Sequence, residues 1–403
     1  MQRSSKIMIT RRKLTAVAGS LVMAMGVSLT ANASLVGTGF TVTDNKGITF
    51  ENVASGKSKG VSWQARSTLI GSTAQGTGTS VTDEAGDALY HPTFPEYSGV
   101  VGILMDFGPG GAFVCSGTLL DDRRTIATAA HCVSSGAGTA NPLTTTVFFQ
   151  PEGGMDPGLS IYGTNVGQVG VEVADYIVHP EYTGEVIDQN DIALLTLEAD
   201  APEWAISHGV YTGELTGLDF NVAGYGVRGN GFDGGTAGTG RMREGDNKYD
   251  YAWGNEAFGG FFTDDFFGTA ETEWSYVSDH DNGLSTNDQA GIIGQFFGTS
   301  EFNDTGLGDD EVGVAGGDSG GPNFIDGLLA GINSYGLTFG SDFGDATAGL
   351  DNSFGEFSGY VPTWIHADFI ANNLFSDQNP VPSPAAIALL GLGISFLGWK
   401  KRK

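Results

Sequence analysis

The chain has 403 residues, of which 47 are acidic and 19 are basic, so its formal net charge at pH 7 is −28. This charge argues against nucleic acid as a partner, because binding to phosphates requires clustered Lys and Arg. Apolar residues make up 40% of the chain, which is enough for a buried core of about two domains. The 64 glycines show no three-residue period, so they exclude collagen and favour short strands joined by turns.

Residues 1–33 are typical of a secretory signal. Basic residues between positions 3 and 13 are followed by an apolar run from Leu14 to about Leu29. Ala31-Asn32-Ala33 then provides a small-x-small cleavage site. We therefore expect export with removal of this segment, and a retained N-terminal membrane anchor is the alternative.

The middle of the chain has the pattern of an all-β protein. Residues 34–90 are rich in Gly, Ser and Thr, and we interpret them as a pro-segment or a poorly packed lead-in. Short apolar runs between turn residues then predict buried strands at 98–105, 112–120, 124–128, 145–149, 171–178 and 192–197. Residues 227–312 are rich in Gly, Asp and Phe without a fixed period, and we place them in loops. An apolar stripe from Thr363 to Leu374 predicts a C-terminal helix.

The last segment, 380–403, has the pattern of a membrane-associated tail. Pro380, Pro382 and Pro384 break any helix, and residues 385–399 are then nearly all apolar. As a helix this stretch would span about 22 Å, and the flanking basic residues could reach the bilayer surface. The basic end, 400–403, is expected on the cytoplasmic side.

This tail resembles the PEP-CTERM sorting signal of Gram-negative bacteria, which carries a proline motif, an apolar stretch and a basic end. The family usually has Glu between the two prolines, where this chain has Ser383. The resemblance implies transient membrane contact and cleavage after export by an exosortase-like processing enzyme. A permanent C-terminal anchor is the alternative.

Three separated segments carry residues suited to nucleophilic catalysis. A serine hydroxyl is a weak nucleophile, and it needs a neighbouring imidazole that can take its proton near neutral pH. A buried carboxylate then orients the imidazole and stabilises its protonated form. The three segments are Thr128-Ala129-Ala130-His131-Cys132, Asn190-Asp191-Ile192-Ala193-Leu194 and Gly317-Asp318-Ser319-Gly320-Gly321-Pro322.

In their motifs and their order, these segments resemble the trypsin/chymotrypsin family of serine endopeptidases. The resemblance implies His131 as the base, Asp191 as its orienting acid and Ser319 as the nucleophile. The backbone N–H groups of Gly317 and Ser319 would form the oxyanion hole. The implied fold is two six-stranded Greek-key β-barrels, at 91–206 and 207–375, with a C-terminal helix and the insertion at about 227–312.

The resemblance also implies substrate-binding and activation residues. Gly313 stands at the floor of the primary specificity pocket, and the lack of an acid there argues against cleavage after Lys or Arg. Ser334, Tyr335 and Gly336 would form an edge on which the substrate backbone pairs as an added strand. Asp318 would pair with a new N-terminus near residues 87–90, where no Lys or Arg allows a tryptic cut.

Two further predictions concern cysteines and metals. Cys115 and Cys132 are expected to form a disulfide, because export places them in an oxidising compartment. Two free thiols or a metal pair with His131 are the alternatives. The acidic clusters at 279–283 and 309–311 do not match EF-hand spacing, so a solvated acidic face is favoured over calcium and no metal or cofactor is assigned.

We therefore expect an exported, monomeric serine endopeptidase that acts on protein or peptide substrates. Its expected place is the envelope, the surface or the surroundings of a Gram-negative cell. One alternative is a catalytically silent surface or matrix protein that uses the Phe-rich insertion as a binding face. A carbohydrate-binding module, favoured only by the aromatic residues and the tail, is another.

Overall fold

The computed structural model describes residues 34–43, 47–66, 88–136, 139–151, 160–163, 165–235 and 238–376. The signal predicted at 1–33 and the tail predicted at 380–403 lie outside the described residues, and both stay predictions. Within the described ranges, no helix combines the length and the apolar composition needed to cross a bilayer.

The described residues form eighteen strands and two α-helices. The N-terminal strands are β1 (Ser34–Thr43), β2 (Gly47–Ser58) and β3 (Val61–Arg66). The first half contains β4 (Val100–Asp106), β5 (Ala112–Leu119), β6 (Thr125–Thr128), β7 (Thr144–Phe149), β8 (Val169–Val178) and β9 (Ala193–Leu197). The second half contains β10 (Asp219–Gly224), β11 (Gly229–Asn230), β12 (Gly234–Gly235), β13 (Arg243–Lys248), β14 (Tyr251–Ala252), β15 (Tyr276–Asp279), β16 (Pro322–Ile325), β17 (Leu328–Thr338) and β18 (Phe357–Pro362). The α-helices are α1 (Gln289–Phe297) and α2 (Ala367–Asn373).

The first half is a closed antiparallel barrel in the order β4-β5-β6-β9-β8-β7. Each of the six predicted strands agrees with an observed strand to within two residues at either end. β6 and β9 are buried along their whole length, which explains their uninterrupted apolar sequence. Their side chains share one core with Ile370 of α2, so the C-terminal helix packs against the first barrel.

The second half is a curled antiparallel sheet in the order β13-β10-β16-β17-β18-β15. β14 follows β13 closely in the chain and pairs with β15, so it links the two edges of the sheet. Placing residues 227–312 entirely in loops is therefore wrong, because β13 and β15 belong to this sheet. β13 has the sequence Arg-Glu-Gly-Asp-Asn-Lys, which carries no apolar signal, and its pairing with β10 places it in the sheet.

The N-terminal strands are the largest departure from expectation. β1, β2 and β3 form an antiparallel sheet, and β3 joins this sheet to β17 of the second half. The side chain of Trp63 is only 3% exposed, and Ala65 is fully buried. Poor packing is therefore wrong for residues 61–66, whereas their interpretation as part of a pro-segment stays a prediction.

The Phe pairs of the insertion form part of a second hydrophobic core. Phe262 and Phe267 pack on the indole of Trp253 with ring centroids 4.7 and 5.0 Å away. Aromatic pairs in these tilted geometries add stabilisation beyond the burial of their area. Trp63 and Ala65 of β3 belong to the same core, so the insertion and the N-terminal sheet are packed together.

Candidate active site

His131 and Asp191 meet where the first barrel faces the second half. His131 lies in a short 3₁₀ turn just after β6, and Asp191 lies two residues before β9. The backbone N–H of His131 donates to Oδ1 of Asp191 at 2.8 Å, and Nδ1 of the ring lies 2.7 Å from Oδ2. Because a carboxylate oxygen can only accept, Nδ1 is the protonated nitrogen of the neutral ring. Nε2 is then the basic nitrogen, and among the described residues this buried atom has no hydrogen-bond partner.

Ser334 supplies a third donor to the Asp191 carboxylate. Its hydroxyl lies 2.5 Å from Oδ2, and its side chain is fully buried. Asp191 itself is only 1% exposed, so its charge is balanced by three hydrogen bonds instead of by water. The sequence motif assigns Ser334 to the substrate edge, but does not indicate this contact.

The loop that carries Ser319 lies beside the His131 turn. The carbonyl oxygen of Ser319 accepts a hydrogen bond from the backbone N–H of Ser116 at 2.8 Å. The same oxygen lies 3.7 Å from Sγ of Cys132, the residue that follows His131. The structure therefore brings the three residues predicted from the separate motifs to one place between the two halves.

Two glycines allow this loop to turn sharply. Gly317 and Gly320 adopt φ values of +103° and +80°, which are strained for any residue with a side chain. A Cβ on Gly320 would lie 2.0 Å from Oγ1 of Thr128 and 2.4 Å from the carbonyl oxygen of Ser116. The loop is thus pressed against β5 and β6, and only glycine fits at position 320.

Ser116 is a site residue that the motif analysis missed. Its hydroxyl donates to the carbonyl oxygen of Gly317 at 2.9 Å and accepts from the backbone N–H of Tyr225 at 3.0 Å. With the bond from its own N–H to Ser319, it ties the first barrel to the serine loop at two points. The only sequence signal was its place beside Cys115.

The predicted disulfide between Cys115 and Cys132 is confirmed, with the two Cα atoms 6.3 Å apart. It joins β5 to the turn that holds His131. Among the described residues, Cys115, His131 and Cys132 are also the only three side chains with metal-ligand spacing. Because both sulfurs are in the disulfide, neither is available as the thiolate that a metal would bind.

Asp318, the residue before the serine, lines a pocket of the second half. Its Oδ1 accepts a hydrogen bond from the N–H of Gly226 at 2.7 Å. A Cβ on Gly224 or Gly226 would come within 2.0 or 2.5 Å of this carboxylate, so the Gly-Tyr-Gly segment makes room for it. Tyr90 and Arg243 line the same pocket, which places the end of the lead-in beside Asp318.

Gly313, predicted at the floor of the specificity pocket, faces a histidine. A Cβ on Gly313 would lie 3.0 Å from Nδ1 of His280. The ring of His280 is buried and packs on Phe354 with ring centroids 4.6 Å apart. Burial lowers the pKa of His280 to about 4, so the ring is neutral near pH 7.

Tyr335 and Gly336, predicted on the substrate edge, lie in β17 with different surroundings. The hydroxyl of Tyr335 accepts from Nε1 of Trp253 at 2.8 Å, and its ring is fully buried. A side chain on Gly359 would strike this ring at 2.2 Å, so that glycine makes room for it. Gly336 is paired with Arg66 of β3.

The acidic residues weighed as a calcium site are largely buried. The prediction of a solvated acidic face is wrong for Asp279, Asp281 and Glu311, which are all below 5% exposed. Glu311 accepts from the N–H groups of Asp281 and Leu307 at 2.5 and 2.6 Å. Burial raises the pKa of Asp279 to about 7 and the pKa of Glu311 to about 8, so near neutral pH these groups hold protons in part.

A closed β-barrel and a curled half-barrel, in place of the two closed barrels predicted, meet at a buried His–Asp pair and a glycine-flanked serine. This arrangement matches the architecture of chymotrypsin-like serine proteases. The family profile described as Trypsin matches residues 100–347, which is more than half of the chain. The chain therefore belongs to the trypsin family of serine proteases.

The other comparisons add little to this assignment. The solved structure of neuropsin, described as a serine protease expressed in the limbic system of mouse brain, is 18% identical to the chain and aligns with a TM-score of 0.45. That alignment covers 71% of this chain and 99% of neuropsin. The comparison with curated proteins found no match. The family assignment rests on the profile match.

Proposed function

We propose that the protein is an exported endopeptidase in which Ser319, His131 and Asp191 form a catalytic triad. The observation that carries this proposal is the state of His131. Asp191 engages Nδ1, which leaves the basic Nε2 unpaired beside the loop of Ser319. An imidazole held in this way is ready to take a proton from a serine hydroxyl.

The proposed reaction proceeds in two halves. Oγ of Ser319 attacks the peptide carbonyl carbon while Nε2 of His131 takes the hydroxyl proton. The C–N bond then breaks as His131 gives that proton to the leaving amine, and an acyl-enzyme remains. Water attacks the acyl group in the same manner, His131 again takes and returns the proton, and the carboxylic acid product leaves.

The N–H groups of Gly317 and Ser319 are proposed to hold the oxyanion. In support, Ser116 binds the carbonyl oxygens of both residues, which limits how the neighbouring peptide units can rotate. Donors held in advance lower the barrier because they need not reorganise as the charge develops. Each such donor is worth about 3 kcal/mol in the transition state.

The enzyme is expected to disfavour Lys and Arg before the scissile bond. Gly313 offers no carboxylate, and the neutral ring of His280 stands at the place that its side chain would reach. Fluorogenic peptides that differ only in this residue provide the measurement. With Phe or Ala, kcat/KM should exceed the value with Arg at least tenfold, and a preference for Arg would contradict this pocket assignment.

Further proposals concern the two ends of the chain and the acidic residues of the second half. We propose that residues 1–33 direct export and that the tail at 380–403 tethers the protein until an exosortase-like enzyme removes it. Residues 34–90 then act as a pro-segment of a monomeric enzyme in the envelope or surroundings of a Gram-negative cell. Calcium at the acidic residues around Glu311 stays a secondary proposal.

Intact-mass spectrometry after treatment with a fluorophosphonate tests the proposed nucleophile. The exported chain should gain one adduct, and Ser319→Ala should gain none. Ser341→Ala is the matched control, because Ser341 is exposed in the same half, and it should be labelled like the wild type. Absence of an adduct from a chain trimmed near residue 88 would instead favour the catalytically silent scaffold.

A further inference from the structure

The β3 strand occupies one edge of β17, next to the serine loop. β18 pairs with β17 on one side along residues 331–337. On the opposite side, β16 pairs with residues 328–332, and β3 pairs with residues 336–338. β16 and β3 therefore pair with the same edge of β17, and β3 begins beyond the residues at which β16 ends.

The serine loop reaches this edge just before β3 begins. The N–H of Gly320 donates to the carbonyl oxygen of Asn333 at 2.8 Å, and the N–H of Asn333 donates to Gly321 at 3.0 Å. Ser334 and Tyr335 are the only residues between this contact and Gly336, which pairs with Arg66. The strand β3 thus lies on the edge that the family resemblance predicts for the substrate backbone.

Side chains of the N-terminal sheet anchor β3 in this position. The indole of Trp63 packs edge-to-face on Phe267 with ring centroids 5.4 Å apart. Gly56 stands opposite Trp63 in β2, and a Cβ there would come within 2.7 Å of the indole ring. The ammonium of Lys59 donates to the carbonyl oxygen of Phe261 at 2.7 Å and lies 4.5 Å above its ring.

The same sheet also reaches the first barrel. β2 lies against β5, the strand that contains Cys115 and Ser116, while β3 pairs with β17 of the second half. The sheet of β1 to β3 therefore contacts both halves between which His131 and Ser319 meet. A segment in this place competes for the cleft that a polypeptide substrate must enter.

We propose that residues 34–66 are an intramolecular competitor of the substrate. β3 takes the strand position of a bound peptide on β17, so the chain blocks its own site until this sheet leaves. The inference rests on the proposed function, since it assumes that Ser334 to Gly336 bind the substrate backbone. Strand addition uses main-chain hydrogen bonds, so an extended peptide of suitable length can replace β3.

Two single variants of the full-length chain test this inference. Trp63→Ala removes the buried anchor, whereas Gln64→Ala alters an exposed neighbour on the other face of the same strand. Trp63→Ala should hydrolyse an extended peptide at least ten times faster than the wild type, and Gln64→Ala should not. Labelling of Ser319 by a fluorophosphonate is measured in parallel.

The outcomes separate the two proposals. If Ser319 is labelled in all chains and the peptide rates of Trp63→Ala and wild type are equal, the intramolecular competitor is ruled out and the protease assignment stands. If no full-length chain is labelled and a chain trimmed near residue 88 is not labelled either, the proposed function fails, and this inference fails with it.

Amide hydrogen exchange provides a readout that does not depend on catalysis. In the Ser319→Ala background, the amides of residues 336–338 should exchange faster with Trp63→Ala than with Gln64→Ala. The amides of β18 should stay protected in both, which shows that the second half is folded. Equal exchange at 336–338 in the two variants would overturn the docking of β3 that the inference requires.

Discussion

Replacing Asp191 with Asn is expected to lower kcat about 10⁴-fold, the size known for this change in chymotrypsin-like proteases. The carboxylate accepts from both the backbone N–H and Nδ1 of His131. An amide in its place presents an NH₂ group, to which Nδ1 would have to act as acceptor. The ring proton would then sit on Nε2, and His131 would lose its ability to take the proton of Ser319.

Initial rates on one peptide substrate, with Ser334→Ala beside Asp191→Asn, provide the measurement. Ser334→Ala removes one of the three donors to Asp191 and leaves the tautomer of His131 unchanged. Its kcat should fall about tenfold, the effect of one hydrogen bond to a charged group. Near-normal kcat in Asp191→Asn would show that this pair does not support the reaction.

The second large effect is a loss of stability as the pH rises. Burial raises the pKa of Asp279 to about 7 and the pKa of Glu311 to about 8, and it also raises the pKa of Asp250. A group whose pKa is higher in the folded state stabilises the fold fully below its unfolded pKa, near 4, and loses this contribution as pH rises through the folded pKa. Between these two pKa values, the contribution of Glu311 alone to the free energy of unfolding falls by about 3–5 kcal/mol.

The melting temperature is therefore expected to fall by roughly 5–15 °C between pH 5 and pH 9. Calorimetric scans at several pH values measure this slope. Glu311→Gln should make the slope shallower, and Asp309→Asn, at an exposed position two residues earlier, should leave it unchanged. The Lys248–Asp304 ion pair nearby, 2.5 Å between Nζ and Oδ2, outweighs the effect of burial and lowers the pKa of Asp304. Its contribution to stability is lost only in acid, so it does not change the slope between pH 5 and pH 9.

Millimolar calcium chloride, added in the same scans, tests the secondary calcium proposal. Bound calcium would favour the ionised carboxylates, so it would raise the melting temperature at pH 9 more than at pH 5. An equal melting temperature with and without calcium would show that the acidic residues around Glu311 bind protons and not calcium. A stability that rises with pH would contradict the proton-binding account altogether.

Much of the first barrel was predictable because its signals are local. Apolar runs that are buried on both faces, as in β6 and β9, are continuous in the sequence and bounded by turn residues. The second half was less predictable, since β13 is formed from charged and polar residues. Its place in the sheet follows from pairing with β10, which lies more than twenty residues away in the chain.

The residues of the candidate site also divide into those that a local motif predicts and those that depend on distant partners. His131, Asp191 and Ser319 stand in short motifs whose residue types are required by one chemistry, so they could be predicted without a structure. The roles of Ser116 and of the Ser334 hydroxyl could not be predicted in this way, because their partners lie 201 and 143 residues away in the chain. The sequence contains each of these serines but carries no local sign of which distant atom it will bind.

By itself, the sequence determined the chemical type of the protein, its first barrel and the cysteine pair, because each depends on neighbouring residues or on a motif. Only the tertiary structure decided where the strands β1, β2 and β3 lie. The sequence of β3 is compatible with any exposed sheet edge, since strand pairing uses the main chain, which is the same in all residues. The edge at Gly336 to Thr338 and the aromatic core around Trp63 select its position, and both are formed by residues far along the chain.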